Sequence, residues 1–529
     1  MKTKLYLGLI GDELSQENGL KMAGLSLHSF VELLLKNAQV SDIASLPFEP
    51  ILLTYLITST EKEIHREAEK LNLTTEVLDP LGTTGEVYQA DFLIKKCNAL
   101  MVVHDSANSL FEGNTSRAHA IIESVVFPEK NITENMEYFA NNDEFLPFLY
   151  EVRVFENEVL AHFYRDNEDD GFNTFITDFN NISSELNAVS IQYTDDNLRE
   201  SLAFEKKENE YNLAEFYDFG CKFDALASNH QTRSNLGFWV LFSLTLILGA
   251  SFLLYAKVFT QSPWLLIVYL TAYTGGIFTF YKMKKKASLK KHLAYRLCAE
   301  VLRLKLFQLV SYSGNKTDAF QFEKQVSLAN VKTDWVAHIV RAFPLHKVSE
   351  NIAISTRKKI ILTSLIEEQL RYFNVKLHGN TDKVPNSTHK PKPKLDGLEK
   401  LLHRFTNTGL SIVVFCTFLM IVVTLTAFKV SVFYKLYPIK HIIMFLIGFL
   451  PLVGLAFEQL VFNFALEENE MRYHQQISKF KSIKRWLSAT ESEVGIAKIT
   501  NQLCIECAQE NFSWYTTRIN RQHKPASGG

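Results

Sequence analysis

The fold class this sequence predicts is an α/β amino-terminal domain joined to an all-α membrane region with four transmembrane helices. Three observations predict it. Apolar residues make up 47% of the 529-residue chain and pool in two patches. Each patch holds two apolar runs of about 20 residues, the length a helix needs to cross roughly 30 Å of hydrocarbon. Upstream of both, short apolar runs alternate with amphipathic ones, the pattern of a parallel sheet covered by helices.

The predicted spans cover residues 236–255, 263–281, 408–428 and 441–464. A soluble core helix rarely stays apolar on every face for so long. The connections, 256–262 and 429–440, are short, so each pair is a hairpin. Four crossings put both termini on one side. Lys282, Lys284, Lys285, Lys286, Lys290 and Lys291 follow the second span and place that side in the cytoplasm. Lys429, Lys435 and Lys440 in the second hairpin loop argue weakly the other way. Parity and a large N-terminal domain without a signal peptide decide for cytoplasmic termini; the opening MKTKLYLGLIGDELSQ is too soon charged for such a peptide and reads as a buried strand. Trp264 and Tyr281 sit at span ends, where aromatic rings favour the interface. Glycines are few, so no small-xxx-small packing motif is expected. Glu458 is the interior ionisable residue of the spans. It is either a functional acid or an end-of-span residue reaching headgroups.

Helical sequence flanks each hairpin. Phe216, Phe219 and Phe223 precede the first, and Leu289, Leu293, Leu297, Val301 and Leu304 follow it at helical spacing. The second hairpin repeats the plan, so the C-terminal region reads as two copies of helix–hairpin–helix. The domain map is then 1–127, α/β; 128–210, a connector; 211–312, the first helix–hairpin–helix; 313–378, a helical connector; 379–394, a flexible linker rich in Pro, Asn and Lys; and 395–529, the second hairpin with its C-terminal helices.

Within the first domain, strands are expected at 4–11, 50–57, 74–78 and 99–104, and helices at 61–71, 89–96 and through Ile121 and Ile122. Ligands of such sheets bind at the carboxyl ends of the strands. Two loops stand there. One carries Gly11 and Asp12. The other carries Gly113, Asn114, Thr115, Ser116 and Arg117 ahead of a helix. Free N–H groups at a helix start can hold a phosphate, with Gly113 allowing close approach, hydroxyls from Thr115 and Ser116, and charge from Arg117. The same residues also describe an ordinary helix cap. His65 and His119 fall on helices and read as surface or packed residues.

A net charge of −2 gives no electrostatic footprint of a nucleic-acid binder. Six cysteines make no disulfide scaffold. Cys504 and Cys507 form a lone CxxC with no second ligand pair nearby, so no metal is expected.

Residues 90–122 (ADFLIKKCNALMVVHDSANSLFEGNTSRAHAII), with the strand–helix–strand of 58–80, resemble the SLOG superfamily of Rossmann-like, nucleotide-sensing domains. The segments FDALASNHQTRSN, HLAYRLCAEVLRLKLF and ECAQENFSWYTTRINRQHKP resemble the SLATT group of two-transmembrane modules of bacterial anti-phage conflict systems. The resemblance implies a nucleotide or nucleotide-derived messenger as ligand, with Gly113, Asn114 and Thr115 in the phosphate loop and Gly11 and Asp12 in the first-strand loop. It implies no further cofactor, the bacterial inner membrane as location, the lipid bilayer as partner, and a homo-oligomeric, pore-forming antiviral effector. Two positions depart from the family pattern: Asn114 replaces a second glycine, and Ala118 stands where nucleotide-cleaving relatives carry a glutamate. A carboxylate missing there leaves ribose chemistry without an evident agent and favours a sensor over an enzyme. The competing expectations are a membrane-tethered nucleotide-processing enzyme, kept open by His104, Asp105 and Glu112, and a transporter or accessory protein whose soluble domain binds partners.

Overall fold

The computed structural model describes residues 3–14, 17–78, 93, 97–104, 118–120, 148–155, 158–163, 168–190, 198, 202, 213–311, 336, 339, 353–378, 408, 411–418, 433–464 and 466–521. These fall into two compact units. One comprises Met1–Leu226, Cys298–Ile352 and Thr500–Phe512; the other comprises Ala227–Leu297, Ala353–Ile499 and Ser513–Gly529.

The first unit is built on a six-stranded sheet. Its strands are β1 (Thr3–Gly11), β2 (Phe48–Thr54), β3 (Thr74–Val77), β4 (Ala99–His104), β5 (Phe148–Phe155) and β6 (Glu158–Phe163), in the spatial order β3-β2-β1-β4-β5-β6. All neighbours are parallel except β5 and β6. The central strands β1 and β4 are buried at nearly every position, the pattern of a parallel sheet covered on both faces. β4 ends in the one side chain of ALMVVH that needs a polar partner, His104.

Helix α1 (Glu17–Ala38) buries Ala23, Leu27, Phe30, Val31, Leu34 and Ala38, a stripe at steps of three and four. Helix α2 (Ser59–Lys70) is capped by Thr58, whose hydroxyl accepts from the Glu61 N–H at 3.2 Å. Helix α3 (Glu168–Ala188) lays Phe172 against Phe30 and Phe148, and Phe179 against Phe48. The sheet therefore runs past residue 127. Residues 128–210, expected as a connector, contribute β5, β6 and α3, joined to the rest by the β4–β5 ladder and this aromatic layer.

The strand expected over 50–57 stops at Thr54. The Thr54 hydroxyl accepts from the Leu56 N–H at 3.2 Å, and Leu56 turns into the left-handed region at φ 54°. The expected helix over 89–96 lies outside the described residues apart from Leu93, which is helical.

The same unit holds parts of three long helices: α4 (Leu213–Lys257), α6 (Ser288–Ser311) and, at the C-terminus, Glu493–Arg521. The phenylalanine stripe Phe216, Phe219 and Phe223 is buried, as are Val301 and Leu304. Gln308 donates to the Asn501 side chain at 2.8 Å, and the Cys504 thiol donates to the Leu304 carbonyl at 3.4 Å. Cys504 and Cys507 are both buried, and burial pushes the Cys504 thiol well above the ordinary range.

The membrane-length helices lie largely in the second unit, with Leu213–Leu226 and Cys298–Ser311 belonging to the first. Among the described residues three qualify: Leu213–Lys257, Trp264–Ser311 and His441–Gln459. Of their apolar windows only 11%, 11% and 6% is buried, which leaves side chains such as Trp239, Phe252, Ile267 and Leu455 exposed. Lipid is the solvent in which such surfaces are stable. With 45 residues, α4 is about 68 Å long, more than twice the hydrocarbon thickness, so it extends well beyond a bilayer. The expected span 408–428 is described only at 408 and 411–418, where it is helical, and the linker 379–394 lies outside the described residues.

Helix α5 (Trp264–Lys286) ends at Ala287, which takes the left-handed conformation at φ 46°, and its N–H returns to the Met283 and Lys284 carbonyls. That is the geometry in which helices usually place glycine. Helix α7 (Ile354–Ile360), a π-helical stretch (Ile361–Glu367) and α8 (Glu368–His378) follow, then α9 (Phe433–Phe464), α10 (Leu466–Ala489) and α11 (Glu493–Arg521). Lys358 donates to the Ser488 and Thr490 carbonyls at 2.9 and 2.8 Å, closing the C-terminus of α10. Arg357 pairs with Glu493 at 2.7 Å and Lys484 with Glu367 at 2.6 Å.

Two isolated glycines, which form no small-xxx-small motif, set a helix contact in this unit. A Cβ on Gly249 of α4 would collide with the Leu452 side chain of α9, and one on Gly448 would lie 3.0 Å from Leu253. Each helix thus offers a glycine hollow to the other's leucine, four residues apart and in antiparallel order.

Candidate functional site

The chain order and the spatial order of the strands disagree at one place. From β1 the chain moves outward to β2 and β3, then returns to β4 on the other side of β1 and moves on to β5. The boundary between β1 and β4 is therefore a topological switch point, the place where open α/β sheets usually bind ligands, at the carboxyl ends of the strands. Gly11 and His104 are the last residues of those strands.

Gly11 is set where the backbone passes close to α2. A Cβ there would meet Thr60 Cβ and Cγ2 at 3.2 Å. Asp12 is buried, and three of its polar atoms bond to three different segments. Its N–H donates to the Val103 carbonyl at 2.8 Å, its carbonyl accepts from the Thr60 hydroxyl at 2.5 Å, and its carboxylate Oδ1 accepts from the Ala118 N–H at 2.6 Å. Ala118 opens the described part of the helix that follows the second loop. Asp12 is thus a helix cap supplied from a remote strand, and it takes one of the N–H groups that sequence reasoning assigned to a phosphate.

Glu61, also buried, joins the end of β1 to the segment after β2. Its Oε1 accepts from the Gly11 N–H at 3.2 Å and its Oε2 from the Ile57 N–H at 2.7 Å. Glu13 accepts from the Ser59 N–H at 3.0 Å. The three carboxylates serve the backbone: they tie the segments after β1 and β2 to each other and to the helix at Ala118.

His104 is fully buried, and its Nε2 is 2.9 Å from Glu151 Oε1 on β5. Arg153, two residues on and on the same face, has its Nε 3.4 Å from the same oxygen. In the ladder His104 stands opposite Arg153 and Val102 opposite Glu151, which places the three charged or ionisable groups on one face. This group was missed by sequence reasoning. Its signal is FLYEVRVF, where charges at alternate positions interrupt an otherwise apolar strand.

Of the sequence-predicted site, Gly11 and Asp12 lie at the carboxyl end of β1, beside β4. Gly113, Asn114, Thr115, Ser116 and Arg117 lie outside the described residues. His65 lies on α2 beside Glu69 at 3.5 Å, and His119 is buried directly after Ala118. Glu458 is an exposed residue of α9, at the end of its apolar window. No group of three metal-ligating side chains occurs among the described residues. No family model, curated protein or solved structure matches this chain.

Proposed function

We propose that the chain is a membrane effector gated by a nucleotide-type signal. In this reading the α/β domain is a Rossmann-like, SLOG-type sensor in the bacterial cytoplasm. The two hairpins are SLATT-type modules with four spans in all, and an oligomer of such chains permeabilises the membrane in anti-phage defence. The observation that carries the sensor half is the hydrogen-bonded network at the switch point between β1 and β4, where Asp12 and Glu61 wire separate segments together. A ligand seated there touches a network whose rearrangement moves several elements at once. It shifts the balance between closed and open forms only by binding them unequally. The Asp12 cap shapes the ligand contact. A phosphate approaching the start of the helix at Ala118 meets a carboxylate already bonded there, so the messenger contacts the switch point through ribose hydroxyls or base on the Asp12 side, and its phosphates are left to the loop of residues 113–117.

Burial of His104 against Glu151 removes from solvent the histidine that kept an enzymatic reading open. That supports a sensor over a nucleotide-processing enzyme.

The test uses full-length protein in detergent and in dye-loaded vesicles, challenged with mono-, di- and cyclic nucleotides and ADP-ribose derivatives. The expected result is a raised melting temperature with one ligand class, dye release with the same class, and loss of both in Asp12→Ala. That variant also loses roughly 1 kcal/mol of capping energy. No thermal shift with any ligand, in protein that melts cooperatively, would move weight to a partner-binding soluble domain. A turned-over nucleotide would establish the enzyme instead.

A further inference from the structure

Between Asp224 and Glu300 the chain carries no acidic residue. Apart from Arg233 and Lys257, the cations of that stretch gather at its far end: Lys282, Lys284, Lys285, Lys286, Lys290 and Lys291, with Arg296 beyond. Lys282, Lys284, Lys285, Lys286 and Lys290 are exposed and form no ion pair among the described residues. The first four close α5, whose C-terminal dipole contributes about −0.5 charge. Against four ammonium groups this leaves a strongly cationic helix end. Next to it stand exposed interface aromatics, Phe278, Phe280 and Tyr281, and Lys282 Nζ lies 6.0 Å from the Phe278 ring centre. The exit of the fourth span is the opposite in charge: Glu467, Glu468 and Glu470 follow α9. A positive-inside bias alone does not require the cations to be concentrated on one of the two exits.

We infer that the end of α5 is a docking surface for anionic phospholipid headgroups. The phosphodiesters of the inner leaflet supply the anions that the protein's own sequence withholds, and the aromatic rings fix the depth at which the lysines meet them. This rests on the reading that α5 crosses a bilayer.

The experiment reconstitutes full-length protein in phosphatidylcholine vesicles doped with spin-labelled phosphatidylglycerol or spin-labelled phosphatidylcholine. It compares the motionally restricted fraction of each label. A preference for phosphatidylglycerol on the order of severalfold is expected at about 0.1 M salt, falling toward one near 1 M as the screening length shrinks. Replacing the five exposed lysines with glutamine removes the preference, and replacing them with arginine keeps it. Equal restriction of the two labels by the wild type at low salt, or a preference that survives both high salt and the glutamine variant, overturns the inference. The wild-type salt series decides even where the glutamine variant inserts poorly. If neither label is restricted, the membrane reading itself fails, and the lipid surface with it.

Discussion

Single residues at the centre of the sheet show how little room the fold leaves. Gly8 lies in β1 where an added Cβ would stand 2.6 Å from Cys97 Sγ and 2.7 Å from Leu100 Cδ1. Gly8→Ala is expected to cost about 1–3 kcal/mol through overpacking. Chemical denaturation should show a smaller loss when it is combined with Cys97→Ala, because the two sites share the same space. A second residue reports on pH. His292, on α6 beyond the lysine run and outside the apolar segment, is buried, and its Nδ1–H donates to the Ala227 carbonyl at 3.0 Å. Burial, with Arg296, Arg518 and His230 nearby, lowers its pKa from 6.5 to about 4. The neutral ring is the folded form. Its contribution is complete above pH 6.5 and is lost as pH falls from there to about 4, a loss of roughly 3 kcal/mol. A melting-temperature profile in detergent should show this acid-side decline, flattened in His292→Gln. An unchanged profile in that variant would assign the decline to other groups.

Elements decide the next level. The apolar stripe of α6 is legible as sequence, and Leu293, Leu297, Val301 and Leu304 are all buried. Their spacing alone sets one helix face, whatever packs on it. The contact between α4 and α9 is not legible in this way. Gly249 and Gly448 are isolated glycines in two distant segments, and only their pairing with Leu452 and Leu253 gives them meaning. Gly249→Ile is expected to force these helices apart and lower the melting temperature by several degrees, with a similar effect from Gly448→Ile and little further loss when both are changed. Additive losses would show that the two hollows do not belong to one contact. In the α/β domain, β5 and β6 escaped notice because Glu151 and Arg153 break the apolar run of the strand. Their partner, His104, is the end of a different strand, so the pattern makes sense only across the ladder.

At the scale of the whole molecule, helices that expose Trp239, Phe252, Ile267 and Leu455 need an apolar solvent. Alkaline carbonate washing of membranes from cells making the full chain should leave it in the pellet. Release into the supernatant would mean that these surfaces are covered by protein instead. The sequence by itself determined this much: the membrane-length apolar segments, the lysine-rich exit of the second, and strands β1 to β4, because length, charge and periodicity are local properties that survive without partners. Half of the expected site was also legible, as a glycine and an acid after the first strand. Tertiary structure alone decided that Asp12 caps a helix more than a hundred residues away, that Glu61 joins the end of β1 to the segment after β2, and that His104 is sealed against Glu151. Each of those roles depends on which backbone N–H or charged group arrives from elsewhere in the chain, and no local spacing encodes that arrival.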